Sequence, residues 1–293
     1  MNISIKPSPI AKKLARTVGG DFYLVGGYVR NALLGKKCDD EDLCSALTLP
    51  MLEKKLAGSE FSLKNKNKAF GTCKIVCGDK SFDYATFRKE TYSKGHCPES
   101  VEFVKDLAVD ANRRDFTINS IYFNINKGEI KDPFDGMADL KKKKIRAINT
   151  QVLNDDGLRI LRMIRLAGEY NFSIEKQTFA SAEKNISNIK DLSVAKVAEE
   201  LQKLFAKTSN KGAVKAIILY NKLGVWKQIK PELEFVKTNM LAKCEDKAIA
   251  FAIDLVDTVN PASVSYFLNH VLQDAGIPKK RLATFINVVS GYY

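Results

Sequence analysis

The stretch Leu24–Ser45 reads LVGGYVRNALLGKKCDDEDLCS, and the order of its residue types decides how the chain is read. Phe22 to Val25 is an apolar run suited to a buried strand, and it passes directly into Gly26 and Gly27. Tyr28 to Leu34 then has helical character and stops at Gly35. After Lys36 and Lys37 come Asp40, Glu41 and Asp42, leading into a second apolar segment. A glycine pair ahead of a helix lets backbone N–H groups approach an anion, and the helix N-terminus adds a favourable dipole. Carboxylates at i and i+2 of an extended segment point to the same side, a spacing that suits one or two Mg²⁺ ions bridging a nucleotide's phosphates and an attacking hydroxyl. Taken separately, a Gly-Gly is most simply a turn, and an acidic cluster is most simply solvated surface. The succession of strand, Gly-Gly, helix with Arg30, Gly35 and Asp-x-Asp joins a phosphate cradle to a carboxylate pair able to hold metal.

At 293 residues, 45% of them apolar and 28% charged, the chain has the balance of a globular protein large enough for two or more units. No run approaches the roughly 18 apolar residues of a membrane span, and MNISIKPSPIAKKLA lacks the apolar core of a signal peptide, so a cytoplasmic protein is expected. The net charge of +13 favours a polyanionic partner such as RNA or DNA, although a uniformly Lys-rich chain would read the same way. Cysteines at 38, 44, 73, 77, 97 and 244 lack the spacing of a secreted disulfide framework and are expected as free thiols. Cys73 and Cys77 have no second pair, and the histidines are His96 and His270 alone, which argues against zinc and against His-based nucleophilic triads. Carboxylates and arginines are left to carry any chemistry.

Further along, Ile10 to Val18 reads as a first helix and Leu49 to Leu56 as another, with Lys64 to Lys68 a basic loop. Phe70 to Val76 and Ser81 to Arg88 alternate as two strands of a hairpin about Gly78-Asp79, and Lys89 to Pro98 reads as a loop before the strand Val101–Phe103. In ANRRDFTIN, Ala111 to Asn119, Arg113 and Arg114 offer guanidinium forks to phosphate oxygens, Asp115 can orient one of them, and Asn119 can bond a ribose or phosphate. From Asn154 the pattern turns almost wholly helical: Leu158, Leu161 and Leu166 can face a core, while Arg159, Arg162 and Arg165 recur every three residues. That repeat is by itself what a solvated basic face looks like. Helices are also expected near Lys176–Asn185, Val194–Lys207, Gly212–Leu219, Ala248–Val256 and Lys279–Val289.

These motifs, in this order, resemble those of the class II tRNA nucleotidyltransferases, the CCA-adding enzymes and their bacterial poly(A) polymerase relatives. LVGGYVRNALLG stands for the family's LVGGxVRDxLLG with Asn31 in place of Asp, and Asp40-x-Asp42 for its DxD. SFDYATFR corresponds to the strand EVTTFR with Asp83 in place of Glu, ANRRDFTIN contains RRDFTIN, and Asp155-Asp156-x-x-Arg159 corresponds to EDxxR. Gly157 stands where Pro is usual. His96-Cys97 replaces a more basic pair in the loop before Val101-Glu102-Phe103. The resemblance implies an α+β chain, with a polymerase-beta-like nucleotidyltransferase head containing a mixed sheet, followed by an all-α neck and body. The divisions expected are a head over 1–148, a base-recognising neck over 149–210 and a body over 211–293 that contacts tRNA, with a short or absent tail.

The implied reaction is Mg²⁺-dependent attack of an RNA 3′-hydroxyl on the α-phosphate of CTP or ATP, with loss of pyrophosphate. Asp40 and Asp42 are the expected metal ligands and Asp83 a third acid beside them. Gly26, Gly27, Arg30, Arg113, Asp115 and Asn119 are expected at the phosphates and sugar, and Asp156, Arg159 and Arg162 at the base. An Asp acceptor beside an Arg donor matches the edge of cytosine or adenine, where an exocyclic amino group adjoins a ring-nitrogen acceptor. Uracil and guanine put a carbonyl where that amino group would be. The same motifs serve A-adding and CC-adding specialists and poly(A) polymerases, and an RNA-binding protein that has lost activity would keep the fold.

Overall fold

The structure, a computed structural model, describes residues 5–92, 98–231, 233–256, 258 and 261–272. Residues 5–92 and 98–152 belong to one compact unit, and the described residues from Leu153 onward belong to a second. In the first unit, α1 (Pro9–Val18) starts under Ser8, whose hydroxyl accepts from Ala11 N–H, and it buries Ala11, Leu14, Ala15 and Val18. There follow β1 (Tyr23–Val25), α2 (Gly27–Leu33), β2 (Leu43–Ser45), α3 (Leu49–Leu56), β3 (Ser62–Asn67), β4 (Thr72–Cys77) and β5 (Lys80–Thr86). Then come β6 (Arg88–Thr91), β7 (Ser100–Phe103), α4 (Leu107–Asn112), β8 (Tyr122–Asn124), β9 (Glu129–Lys131), α5 (Gly136–Lys141) and the short β10 (Lys144–Ile145).

Seven strands form one sheet in the order β3-β4-β5-β2-β1-β8-β9, antiparallel at every pairing except β2 with β5. It is a mixed sheet, as the motifs imply. Its core is aromatic and aliphatic: Phe22 stacks on Tyr84, and Leu24, Leu43, Ile75, Phe116 and Tyr122 are fully buried. Phe87 interrupts the run after β5, so Arg88 opens a separate strand that pairs with β7, Arg88 opposite Phe103.

Two sequence expectations change here. The basic loop expected at Lys64–Lys68 is largely β3, a strand at the edge of the sheet whose side chains are exposed apart from the half-buried Leu63. With one neighbour and no covered face it needs no apolar alternation, and lysines on an edge strand discourage pairing with other chains. Asn65, with φ +50°, marks the irregularity in its pairing. The loop expected from Lys89 likewise begins as strand, since Lys89 to Thr91 pair with Glu102 to Ser100. His96 and Cys97 lie outside the described residues.

The second unit is helical: α6 (Val152–Asp155) leads into it, followed by α7 (Leu158–Tyr170), a short β11 (Ser173–Ile174), α8 (Lys176–Lys184), α9 (Val194–Lys207), α10 (Asn210–Leu223), α11 (Val225–Ile229), α12 (Lys247–Val256) and α13 (Pro261–Leu272). Helix α7 packs on α9 and α10, around Leu161, Leu166, Leu201, Leu204 and Ile217. Trp226 lies against Tyr220 and Phe251 deeper in the same core. Helices α11 and α13 had no counterpart in the sequence reading, and the helix expected at Lys279–Val289 lies outside the described residues. No helix among the described residues is long and apolar enough to cross a membrane. The described cysteines, Cys38, Cys44, Cys73, Cys77 and Cys244, are free thiols.

Candidate active site

The parallel pairing of β2 with β5 sets Leu43 opposite Tyr84. Asp42, one residue before β2, and Asp83, one residue before Tyr84 in the middle of β5, are thereby brought side by side. Side chains alternate along the extended segment before β2. Glu41 turns away, accepting the N–H of Ser8 at 2.8 Å, while Asp40 and Asp42 turn together. Carboxylate oxygens of Asp40, Asp42 and Asp83 all lie within 4.8 Å of one another. Burial first, then the neighbouring Asp40 and Asp83, push the Asp42 carboxyl up to about 6, against the pull of Arg114 and Lys74. Three hard oxygen donors gathered this closely, and mutually repelling, fit a divalent cation.

The glycine pair adjoins this cluster. Val25 N–H donates to Asp42 O at 3.1 Å, which lays the chain entering Gly26 alongside the carboxylates. Gly26 has φ +73°, a conformation that favours glycine, and it lies against Asp42, whose Oδ2 would be 3.5 Å from a Cβ there. Arg30, one turn into α2, is buried and donates through Nη1 to Asn119 Oδ1. Asn119 in turn donates to Asp115 Oδ1 at 2.9 Å, and that oxygen also takes the Phe116 N–H at 2.7 Å. The order Asp115, Asn119, Arg30 is thus a hydrogen-bonded chain that fixes the guanidinium. Asn31, the departure from the family pattern, accepts weakly from Arg30 Nη2 at 3.4 Å.

A carboxylate that holds both members of the Arg113–Arg114 pair is Asp110, which lies one helical turn earlier on α4 and has no exposed side-chain surface. Arg113 reaches it at 2.8 Å and Arg114 at 3.2 Å, while Tyr122 donates its hydroxyl at 2.8 Å and Arg88 its backbone N–H at 3.1 Å. Burial works to raise the Asp110 carboxyl, but Arg114 and Arg113 outweigh it and hold the group below the ordinary carboxylate range. A second inward carboxylate, Glu90, bonds Arg88 at 2.7 Å and Arg113 at 3.2 Å. Asp110 and Glu90 went unread, although carboxylates three residues before Arg113 and two after Arg88 are the available signal.

Asp42, Asp83, Lys74, Arg88, Arg113 and Arg114 together line a cleft of about 440 Å³ on this unit. The lining joins two of the clustered carboxylates to four cationic side chains, a mixture suited to a polyphosphate bridged by cations.

In the helical unit, Asp156 Oδ1 accepts the Leu158 N–H at 2.9 Å and so caps the start of α7. Its other oxygen lies 3.9 Å from Arg159 Nε, and both side chains are largely buried. Gly157, read as a weak helix start, is required by space: a Cβ would come 2.6 Å from Asn188 O. The arginine repeat is not a solvated face. Arg159 and Arg165 are buried, and Arg165 is held by Glu200 at 2.8 Å and Glu169 at 3.0 Å. Arg162 is half-buried; Glu199, kept below the ordinary carboxylate range mainly by its hydrogen bond to Lys203, also feels its charge.

The family described as the poly(A) polymerase head domain matches residues 22–146, and residues 171–236 match one described as the probable RNA and SrmB-binding site of polymerase A. A CCA-adding enzyme of Lactobacillus delbrueckii subsp. bulgaricus is 34% identical over 199 residues, which are 67% of this chain and 49% of that protein. The chain thus spans about half the length of the curated relatives it matches. Among solved structures, a tRNA-processing enzyme in apo form I superposes on 99% of this chain and 81% of its own, with a TM-score of 0.75 and 24% identity. The CCA-adding enzyme of Bacillus stearothermophilus in complex with CTP covers 97% of this chain and 70% of its own, with a TM-score of 0.69 and 22% identity.

Proposed function

Because this chain belongs to the family of CCA-adding tRNA nucleotidyltransferases and poly(A) polymerases, we propose that it adds CMP and AMP to the 3′ end of tRNA without a nucleic-acid template. The observation that carries the reading is the gathering of Asp40, Asp42 and Asp83 beside Gly26, at a cleft also lined by Arg88, Arg113 and Arg114. In the reaction, the 3′-oxygen of the RNA forms a bond to the α-phosphorus of CTP or ATP, the α–β bridging bond breaks, and pyrophosphate leaves.

Asp40 and Asp42 would hold Mg²⁺, with Asp83 completing the donor set. Bound there, the cation lowers the charge on the phosphates and the pKa of the attacking hydroxyl. Asp83, exposed in the cleft, is also placed to accept the hydroxyl proton. Arg30, fixed by Asn119 and Asp115, and Arg113, fixed by Asp110 and Glu90, supply rigid donor forks to phosphate oxygens. Their partners are bonded before substrate arrives, so little reorganisation is needed. In the helical unit, Asp156 and Arg159 present an acceptor and a donor suited to cytosine and adenine, with Arg162 nearby on the same helix. We keep the division of that unit into a neck over 149–210 and a tRNA-contacting body over 211–293 as part of the proposal. The +13 charge supports an RNA partner held mainly through its backbone.

The test is incorporation of labelled nucleotide, each NTP offered singly, into tRNA lacking CCA, ending in C, or ending in CC. CMP on the first two and AMP on the last is the expected pattern. Addition of AMP alone, of CMP alone, or of repeated AMP would assign a specialist or a poly(A) polymerase, and no incorporation at all would reject the enzyme.

A further inference from the structure

Four cationic side chains line the cleft, and they are neutralised in two different ways. Arg88, Arg113 and Arg114 pair with Glu90 and Asp110, buried carboxylates that stand outside the acidic cluster. Lys74 pairs with Asp83, a member of the cluster itself. The two stand opposite each other in the β4–β5 register, with Lys74 Nζ 2.9 Å from Asp83 Oδ1 and 3.2 Å from Oδ2. Both side chains line the cleft and keep much of their surface exposed, 43% for Lys74 and 57% for Asp83.

The arginines therefore keep their partners whether or not the cluster binds a cation, but Lys74 does not. A divalent cation shared by Asp40, Asp42 and Asp83 takes up the charge of Asp83 and repels the ammonium beside it. Four flexible methylenes let Lys74 swing while staying in the cleft. The anion that arrives with the cation is the triphosphate, so the released ammonium meets phosphate oxygens in the same space.

The geometry points to Lys74 as an exchangeable counter-ion. It neutralises Asp83 before the cation binds and turns to a phosphate oxygen of the incoming nucleoside triphosphate once the cation is in place. This inference rests on the nucleotidyltransferase reading given above. It adds a phosphate-binding side chain and makes cation and nucleotide binding mutually dependent.

The test uses two binding constants and needs no turnover. Mn²⁺ affinity is measured by the paramagnetic signal of the free ion, and affinity for an α,β-methylene CTP analogue by calorimetry, with and without Mn²⁺. Wild-type protein is compared with K74M, K74Q and K74R, the two neutral variants together covering a loss of fold in either. Removing the competing ammonium should tighten Mn²⁺ binding in K74M and K74Q about two- to fivefold, the scale of an exposed ion pair. The same variants should bind the analogue about tenfold or more weakly when Mn²⁺ is present, the scale of a charged hydrogen bond, and unchanged when it is absent. K74R should stay near wild type in both. Shifts in opposite directions are the signature, because general damage to the cleft weakens both. Neutral variants that leave both constants unchanged, or weaken both, overturn the role of Lys74 while leaving the enzyme reading intact. A wild-type protein that binds no Mn²⁺ overturns the metal reading and this inference with it.

Discussion

Asp110 and Arg113 meet at 2.8 Å across a single helical turn, the carboxylate wholly buried and the guanidinium on the cleft wall. The same carboxylate holds Arg114, so one inward side chain sets two outward ones. Changing Asp110 to Ala would take a buried carboxylate from both arginines, with Glu90 still beside Arg113 and the Tyr122 hydroxyl beside Arg114. Breaking a buried pair of this kind costs about 3–5 kcal/mol. Urea unfolding of Asp110→Ala should show a loss on that scale, and Asp110→Asn, which still accepts hydrogen bonds, a smaller one. An unchanged unfolding midpoint in Asp110→Ala would mean the network contributes nothing to the fold.

The contrast between Asp110 and Asp42 marks what was legible in the sequence. Asp40 and Asp42 are legible as a carboxylate pair because they stand at i and i+2 of a short extended segment, and Arg113 and Asn119 because they fall in a motif of fixed residue order. Asp83 is legible through the resemblance of its strand, SFDYATFR, to a family motif. Asp110 is less so, because its spacing of three and four residues from two arginines is also that of ordinary surface ion pairs, and only burial beneath them sets it apart. The edge strand β3 was missed for a related reason: with one neighbour and no buried face it has no periodicity to betray it. In the helical unit the positions of most helices follow from apolar spacing, but the spacing of Arg159, Arg162 and Arg165 alone cannot tell a solvated face from a buried one. The acids that admit Arg165 to the interior, Glu169 and Glu200, include one from another helix.

The raised Asp42 carboxyl predicts a pH dependence. Its ordinary value is 3.8 and its value in the cation-free fold is about 6. Between these limits the folded protein binds more protons than the unfolded chain, so this contribution to stability is full below the lower value and is lost as pH rises through the upper one. The difference in Tm between wild type and Asp42→Asn, both without divalent cation, should therefore move against wild type as pH rises from about 4 to about 6. Mn²⁺ competes with the same proton, so its affinity for wild type should weaken about tenfold per unit as pH falls below about 6. A pH-independent Mn²⁺ affinity between pH 5 and 7 would show that the ligands ionise normally.

Two glycines inside helices predict a local steric limit. Gly168 in α7 and Gly212 in α10 face each other so closely that a Cβ on either would lie 2.6 Å from the carbonyl oxygen of the other. Neither has a positive φ, so close approach of the backbones is the reason for glycine here, and it outweighs the roughly 0.5–1 kcal/mol by which Ala is favoured within a helix. Gly168→Ala and Gly212→Ala should each destabilise by about 1–3 kcal/mol, since helix backbones must part to admit the methyl group. Their combination should cost less than the sum, because the first substitution already opens the contact. Full additivity in urea unfolding would place the two sites apart.

The last prediction separates the two tasks of Asp156. One oxygen caps α7 through Leu158 N–H, and the other faces Arg159 Nε at 3.9 Å. Asp156→Ala removes both, so a change in base choice in that variant could come from a frayed helix. Asp156→Asn keeps an acceptor for the cap, since Asn caps helices about as well as Asp, and it should stay within about 0.5 kcal/mol of wild-type stability. It loses the charge and gains an amide donor. If Asp156 reads the exocyclic amino group of cytosine and adenine, that donor can meet the carbonyl of uracil instead. Misincorporation of UTP on tRNA lacking its final nucleotide should then rise about ten- to a hundredfold relative to CTP and ATP, the scale of one hydrogen bond to a charged group. Arg159→Ala removes the donor fork and should lower incorporation of both correct nucleotides. Wild-type selectivity in Asp156→Asn, with the helix intact by circular dichroism, would leave Asp156 as a helix cap and assign the choice of base elsewhere.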